Sequence, residues 1–315
     1  VKRGGRGTTL AFVALIAMTA AWGSTFFMIG DIVTRIPVPD LLAVRFGIAA
    51  LALILLAAPT IGRPNGLRVD RRILRDGALL GLLYGGAQLL QTFGLAHTAA
   101  SVSGFITGLY VVATPLLGAL ILRTRISPLT WVAVGLATAG LGILSLNATA
   151  NGLGPVGYGE LLTLASAVVY AGHILALSRL SKPGDALGLT AVQLVVITVL
   201  CTSFALPGGI QLPATGTDWA IVLYIAVVAG SLTMLLQTWA QARIEPTRAA
   251  VIMAGEPIWA AGFAVALGGE SITWRMLAGG FAIVAAMYLT ELAPRLRRRG
   301  TTPRTEAEPA VTERT

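Results

Sequence analysis

The stretch PLLGALILRTRISPLTW, residues 115–131, has a counterpart later in the chain, PIWAAGFAVALGGESITW, residues 257–274. In each a proline opens the second part of an apolar run. In each a tryptophan (Trp131, Trp274) then starts the next run, with a glycine soon after (Gly135, Gly279). The joining segments differ in charge: RTR at 123–125 against GGES at 268–271, which carries Glu270. Lys and Arg mark cytoplasmic loops of membrane proteins, so the two like segments are expected on opposite faces. A chain of two related halves, each with an odd number of spans, has this property. Inverted repeats of this kind are common in secondary transporters, with the site at their interface near the bilayer midplane.

Working outward, a crossing helix needs about 20 mostly apolar residues. Ten stretches fit, near 9–29, 39–58, 75–96, 101–122, 129–146, 158–178, 187–207, 218–240, 247–267 and 273–292. The gaps IPVPD (36–40), PTIGRPNG (59–66), NATANGLGPVG (147–157) and SKPGD (181–185) hold turn formers. With the N-terminus inside, every Lys and Arg falls on cytoplasmic segments except Arg35, Arg45 and Arg275. The expected fold is an all-α integral membrane protein of about ten transmembrane helices, built as two inverted five-helix repeats. Its parts are a cytoplasmic N-tail (1–8), a first repeat (9–146), an extracytoplasmic linker (147–157), a second repeat (158–292) and a basic, disordered cytoplasmic tail (293–315). The N-terminus resembles a signal peptide, but its apolar run is long for one and reads as an uncleaved first helix.

Composition agrees. Hydrophobic residues make up 55% and charged residues 12% of 315, about half the usual charged share, too little to clothe a soluble protein. The net charge of +9 lies in loops and ends rather than in a nucleic-acid-binding patch, and Arg297 to Arg299 suit anionic lipid. The one cysteine, Cys201, allows no intrachain disulfide, and no Cys/His metal spacing is present. GxxxxGK[ST], HExxH and GxSxG are absent. No cofactor, metal or catalytic residue is therefore expected. The expected partners are a small solute and the bilayer, with a homodimer left open and no nucleic acid.

The chain resembles the EamA family of the drug/metabolite transporter superfamily. WGSTFF (22–27), LLAVRFGIAALAL (41–53), QTFGLAHTAASVSGFITGLYVVATPLLGAL (91–120), AVIMAGEPIWAA (250–261) and LGGESITWRMLAGG (267–280) carry the resemblance, over about residues 9–292. Many relatives have an acidic residue after the fourth helix, where this chain has Arg123 and Arg125. The resemblance implies alternating-access transport of a small organic solute across the plasma membrane, often export of amino acids or related metabolites.

An ionised group near the bilayer centre is costly and is a functional candidate by default. Two spans hold one. Glu256 lies about ten residues into the ninth span, near the midplane. It reads as a cavity carboxylate for a proton or a substrate ammonium, or else as a hydrogen-bonded packing residue. Arg45, in the second span, could snorkel outward, pair with Glu256, or bind a substrate carboxylate. Trp22 could belong to the interfacial aromatic belt, and Ser24 and Thr25 could bond their own helix carbonyls. Each could equally contact substrate. Gln88 and Gln91 share one face of the third span and should point inward, either lining the cavity or bonding across helices. Gln237 and Gln241, closer to the inner surface, suit a solvated role. Tyr110, Tyr170 and His173 complete the set, His173 being more often packing than relay. Pro115 and Pro257 are expected to mark helix breaks that free backbone groups. Competing readings are a membrane enzyme acting on lipid-linked substrates, which would need clustered His, Asp, Glu or Ser at one face, and a non-transporting partner protein.

Overall fold

The computed structural model describes residues 6–63, 66–123, 128–145, 148–149, 152–153, 157–182, 184–243, 252–253 and 255–299. Helices α1 (Arg6–Ile32), α2 (Val38–Ala57) and α3 (Arg71–Leu95) form the first three spans. The fourth is α4 (Ala100–Gly108) followed by α5 (Tyr110–Leu122), and the fifth is α6 (Pro128–Ser145). A two-residue antiparallel ladder then sets Ala148 opposite Leu153. Helices α7 (Tyr158–Leu180) and α8 (Ala186–Ala205) are spans six and seven. Span eight is α9 (Gly216–Leu223), a π-helical stretch (Tyr224–Leu232) and α10 (Thr233–Gln241). Residues 252–253 and helix α11 (Glu256–Ala266) are described parts of span nine, and α12 (Trp274–Arg299) is span ten.

Spans one to four and six to eight are long and apolar enough to cross a membrane, among the described residues. Pro128–Ile143 and Trp274–Leu289 are shorter apolar helices. The chain is thus an all-α, multi-pass membrane protein of two repeats. Its surface is inverted relative to a soluble fold. Leu55, Leu56, Leu120 and Phe281 are exposed, while Arg45, Gln88, His173, Gln193 and Glu256 are buried. In lipid this is the favourable arrangement, since apolar side chains face acyl chains and polar ones must find partners inside.

Local signals set the helix starts. The Asp70 side chain accepts from the Ile73 amide at 2.7 Å and opens α3, and Thr215 accepts from the Asp218 amide at 3.1 Å and opens α9. Such caps satisfy amides that have no partner within the helix.

Packing follows a two-fold exchange of the halves. Span three packs on spans six and seven; span eight packs on spans one and two. Span four meets span six, as span nine meets span one. Spans two and seven, four and nine, and five and ten meet their own counterparts. A shift of five helices maps each of these interfaces onto another or onto itself, and all of them join one half to the other.

Two ion-pair clasps obey the same exchange. Arg35, in the loop before α2, donates to Asp218 Oδ1 through Nη2 at 2.8 Å and to Asp31 Oδ2 at 2.7 Å. Asp185, in the loop before α8, accepts from Arg72 Nη2 at 2.6 Å, at the start of α3. In each, the loop between the first two helices of one half grips the third helix of the other half. The cation and anion have traded places.

The fourth span breaks at Leu109 rather than at Pro115, which lies inside α5. The Leu109 carbonyl accepts from both the Val112 amide at 3.0 Å and the Ala113 amide at 2.8 Å, a tightening of one turn, while at Pro115 the helix runs on with only the bond to the Val111 carbonyl missing. Pro257, by contrast, is the second residue of α11, directly after a turn at Gly255, where its missing N–H costs nothing. The last helix continues to Arg299, into the stretch expected to begin the disordered tail. Residues 300–315 and Arg125 lie outside the described residues.

Candidate functional site

Glycines in two spans let the backbones around span nine come close. A Cβ on Gly23 would lie 2.5 Å from Trp259 Cβ, one on Gly104 2.5 Å from Ala260 Cβ, and one on Gly108 2.5 Å from Pro257 Cγ. Helix α11 is thereby held between spans one and four, with Glu256 at its first turn. Between the halves lies a cavity of about 500 Å³, counting its open mouth and the space between its lining atoms. Of the expected residues, Trp22, Thr25, Arg45, Gln88, Gln91, Tyr110, Tyr170, His173, Gln237 and Glu256 all line it.

Arg45 is 2% exposed, so it does not snorkel. Its Nε donates to the Ile225 carbonyl at 3.1 Å and its Nη1 to Gln88 Oε1 at 3.1 Å. Ile225 belongs to the π-helical stretch, whose i→i+5 bonding takes carbonyls out of the regular α ladder. Gln88 Nε2 donates to Gln91 Oε1 at 3.2 Å and to the Tyr170 hydroxyl. Gln91 Nε2 in turn donates to Thr107 Oγ1 at 3.0 Å. A hydrogen-bonded chain thus runs from the arginine across spans three, six and four.

Glu256, 4% exposed, sits on another wall. The Tyr110 hydroxyl lies 2.9 Å from Glu256 Oε2 and 3.1 Å from the Met253 carbonyl, donating to either. The pairing of Arg45 with Glu256 weighed from the sequence is not formed. None of the ion pairs among the described residues includes either side chain. Both bond to neutral groups from their own surroundings instead, and the cavity lies between.

Trp22 is not a belt residue: its Nε1 donates to Thr233 Oγ1 at 2.8 Å and to the Ala229 carbonyl at 3.1 Å. Ser24 and Thr25 bond their own helix, to the Ala21 and Trp22 carbonyls, and Ser24 also bonds the Tyr224 hydroxyl. Thr25 lines the cavity; Ser24 lies behind it. Gln237 is 2% exposed and faces the cavity, against the solvated role expected for it. Its helix packs on span one, which removes that face from water. Gln241 does not line the cavity; its Nε2 donates to Met253 Sδ at 3.6 Å.

The sequence reading missed Tyr84, Thr107 and Met253, and the apolar Phe26, Ile29 and Ile174, all of which line the cavity. Tyr84 packs edge-on against Tyr170 and His173, with ring centroids 5.4 and 5.2 Å away. Its position, four residues before Gln88 on the same helix face, was the available signal. A second hollow of about 1050 Å³, open to solvent, lies at the ends of spans one, three, four and nine, beside Asp31 and Glu270. Among the described residues no group of His, Cys, Asp and Glu could hold a metal ion.

Comparisons with known proteins agree with this architecture. Residues 9–146 and 157–292 each match the EamA-like transporter family. A curated relative from Archaeoglobus fulgidus, named only as an uncharacterized transporter, is 29% identical over 292 residues, spanning 93% of this chain and 87% of its own. A crystal structure titled simply as that of a protein shares the fold, with TM-score 0.65 at 19% identity, over 91% of this chain and 99% of its own.

Proposed function

From the premise that the chain belongs to the EamA-like transporter family, we propose that it moves a small zwitterionic solute, an amino acid or close relative, across the plasma membrane. One observation carries this reading: a buried arginine and a buried glutamate line one cavity without pairing with each other. A buried charge left unpaired is strongly unfavourable. A solute bringing a carboxylate to Arg45 and an ammonium to Glu256 supplies both counter-charges at once. Arginine suits the first task because its planar fork can grip a carboxylate with two parallel bonds.

Movement follows alternating access, one repeat rocking against the other around this site, with both termini cytoplasmic as the charge bias of the loops suggests. Export is the favoured direction, by family. Proton coupling at Glu256 has a geometric basis. The Tyr110 hydroxyl holds one proton for two acceptors, the Met253 carbonyl and Glu256. A proton on Glu256 lets the carboxyl donate to Tyr110 while Tyr110 donates to Met253. Its departure turns Tyr110 toward the carboxylate and frees the site for an ammonium.

Counterflow in proteoliposomes, with pooled labelled amino acids and small metabolites, tests this. The wild type is expected to exchange a zwitterionic pool. Arg45→Gln is expected to abolish exchange, and Glu256→Gln to weaken it severalfold and remove its pH dependence. Exchange by Arg45→Gln at the wild-type level would sink the assignment.

A further inference from the structure

The imidazole of His173 is 1% exposed, lines the cavity, and plays no part in the Arg45–Glu256 reading. Its tautomer follows from its neighbours. Gln193, on α8 and fully buried, turns its amide nitrogen to the Leu189 carbonyl at 3.2 Å. A carbonyl only accepts, so this end of the amide must be the NH₂. That leaves Gln193 Oε1 facing His173 Nε2 at 3.0 Å. An amide oxygen also only accepts, so Nε2 carries the imidazole hydrogen. Nδ1 is then a lone-pair acceptor. It is buried without a hydrogen-bond partner among the described residues; the Tyr84 ring packs edge-on to the imidazole, with centroids 5.2 Å apart. Buried polar groups are nearly always bonded, and an orphan at a binding site calls for an explanation.

We propose that His173 Nδ1 is a third recognition point of the transport site, and that the solute carries a hydrogen-bond donor, a hydroxyl or N–H, in addition to its ammonium. The inference rests on the zwitterion reading and narrows it. Arg45 and Glu256 fix the backbone end of an amino acid, and His173 with its Tyr84 and Tyr170 neighbours reads the side chain. Sites that offer a polar partner discriminate against analogues lacking the matching group far better than apolar pockets sort by size, because the buried group is then left unpaired.

Competition in the counterflow assay tests this with amino acids that differ by one hydroxyl: L-serine against L-alanine, and L-threonine against L-2-aminobutyrate. In the wild type the hydroxylated member of each pair is expected to compete about tenfold better, the factor that goes with leaving one buried acceptor bare. His173→Phe keeps a ring of similar shape and removes the acceptor, together with the Nε2–H that Gln193 accepts. It is expected to bring both ratios to about one, whatever it does to the affinity for all four. Equal competition within pairs by the wild type would overturn this inference and leave the Arg45–Glu256 reading standing. Failure of all four to compete would overturn both. The wild-type ratios decide the matter even if His173→Phe fails to insert.

Discussion

Arg45 is held by two acceptors of different kinds, a backbone carbonyl in span eight and the Gln88 amide in span three. Lysine has no planar fork to span both, so Arg45→Lys is expected to lose counterflow while still folding. Gln88→Leu removes the side-chain acceptor and cuts the relay to Tyr170 and Gln91. An orphaned donor of this kind costs about 1–3 kcal/mol, read as a lower melting temperature in detergent; unchanged melting would show that the relay carries no stability. At this scale the sequence was informative about polar residues within apolar spans. Such residues are rare because lipid penalises them, so Arg45, Gln88, Gln91 and Glu256 stood out. It was silent on Tyr84, Thr107 and Met253, whose types are ordinary in membrane helices, and on the missing Arg45–Glu256 pair, because spacing along the chain says nothing of the distance between helices.

At the level of elements, small residues decide how closely span nine can be gripped. Gly23→Ala places a methyl 2.5 Å from Trp259 Cβ and 2.8 Å from the Ala260 backbone nitrogen. Overpacking against backbone costs about 1–3 kcal/mol, and the displaced wall carries Glu256. The variant is expected to melt earlier and transport less. Gly86→Ala, where a Cβ meets nothing within 4 Å, should instead be neutral or slightly stabilising; equal effects of the two would undercut the close-packing argument. The helices themselves were legible from apolar runs and turn formers. The π-helical stretch at Tyr224–Leu232 was not, because its residues are as apolar as their neighbours and only the demand of Arg45 and Trp22 for carbonyls in it reveals its use. The break at Leu109 was hidden by the stronger signal of Pro115 six residues on.

Across the whole molecule, the clasps Arg35–Asp218 and Arg72–Asp185 join opposite halves at opposite membrane faces. Asp218→Asn and Asp185→Asn are therefore expected to move the site's accessibility in opposite senses. Labelling of Thr25→Cys by a membrane-impermeant thiol reagent, in a background where Cys201 is replaced by alanine, would read this; shifts of the same sign in both variants would exclude the clasps as gates. The repeat was visible in the sequence as two proline-to-tryptophan segments with opposite loop charge, whereas the cross-half pairing of helices was not, since it joins residues far apart along the chain. That pairing has a consequence during synthesis. The most extensive helix interfaces join the halves, so the first five spans enter the membrane with their best partners not yet made. At roughly 5–20 residues per second, the wait for the second half is on the order of ten seconds. A ribosome that stalls after the linker therefore leaves a half whose inward faces, Arg45 and Gln88 among them, meet lipid or the insertion machinery instead, which makes such fragments ready targets for membrane quality control.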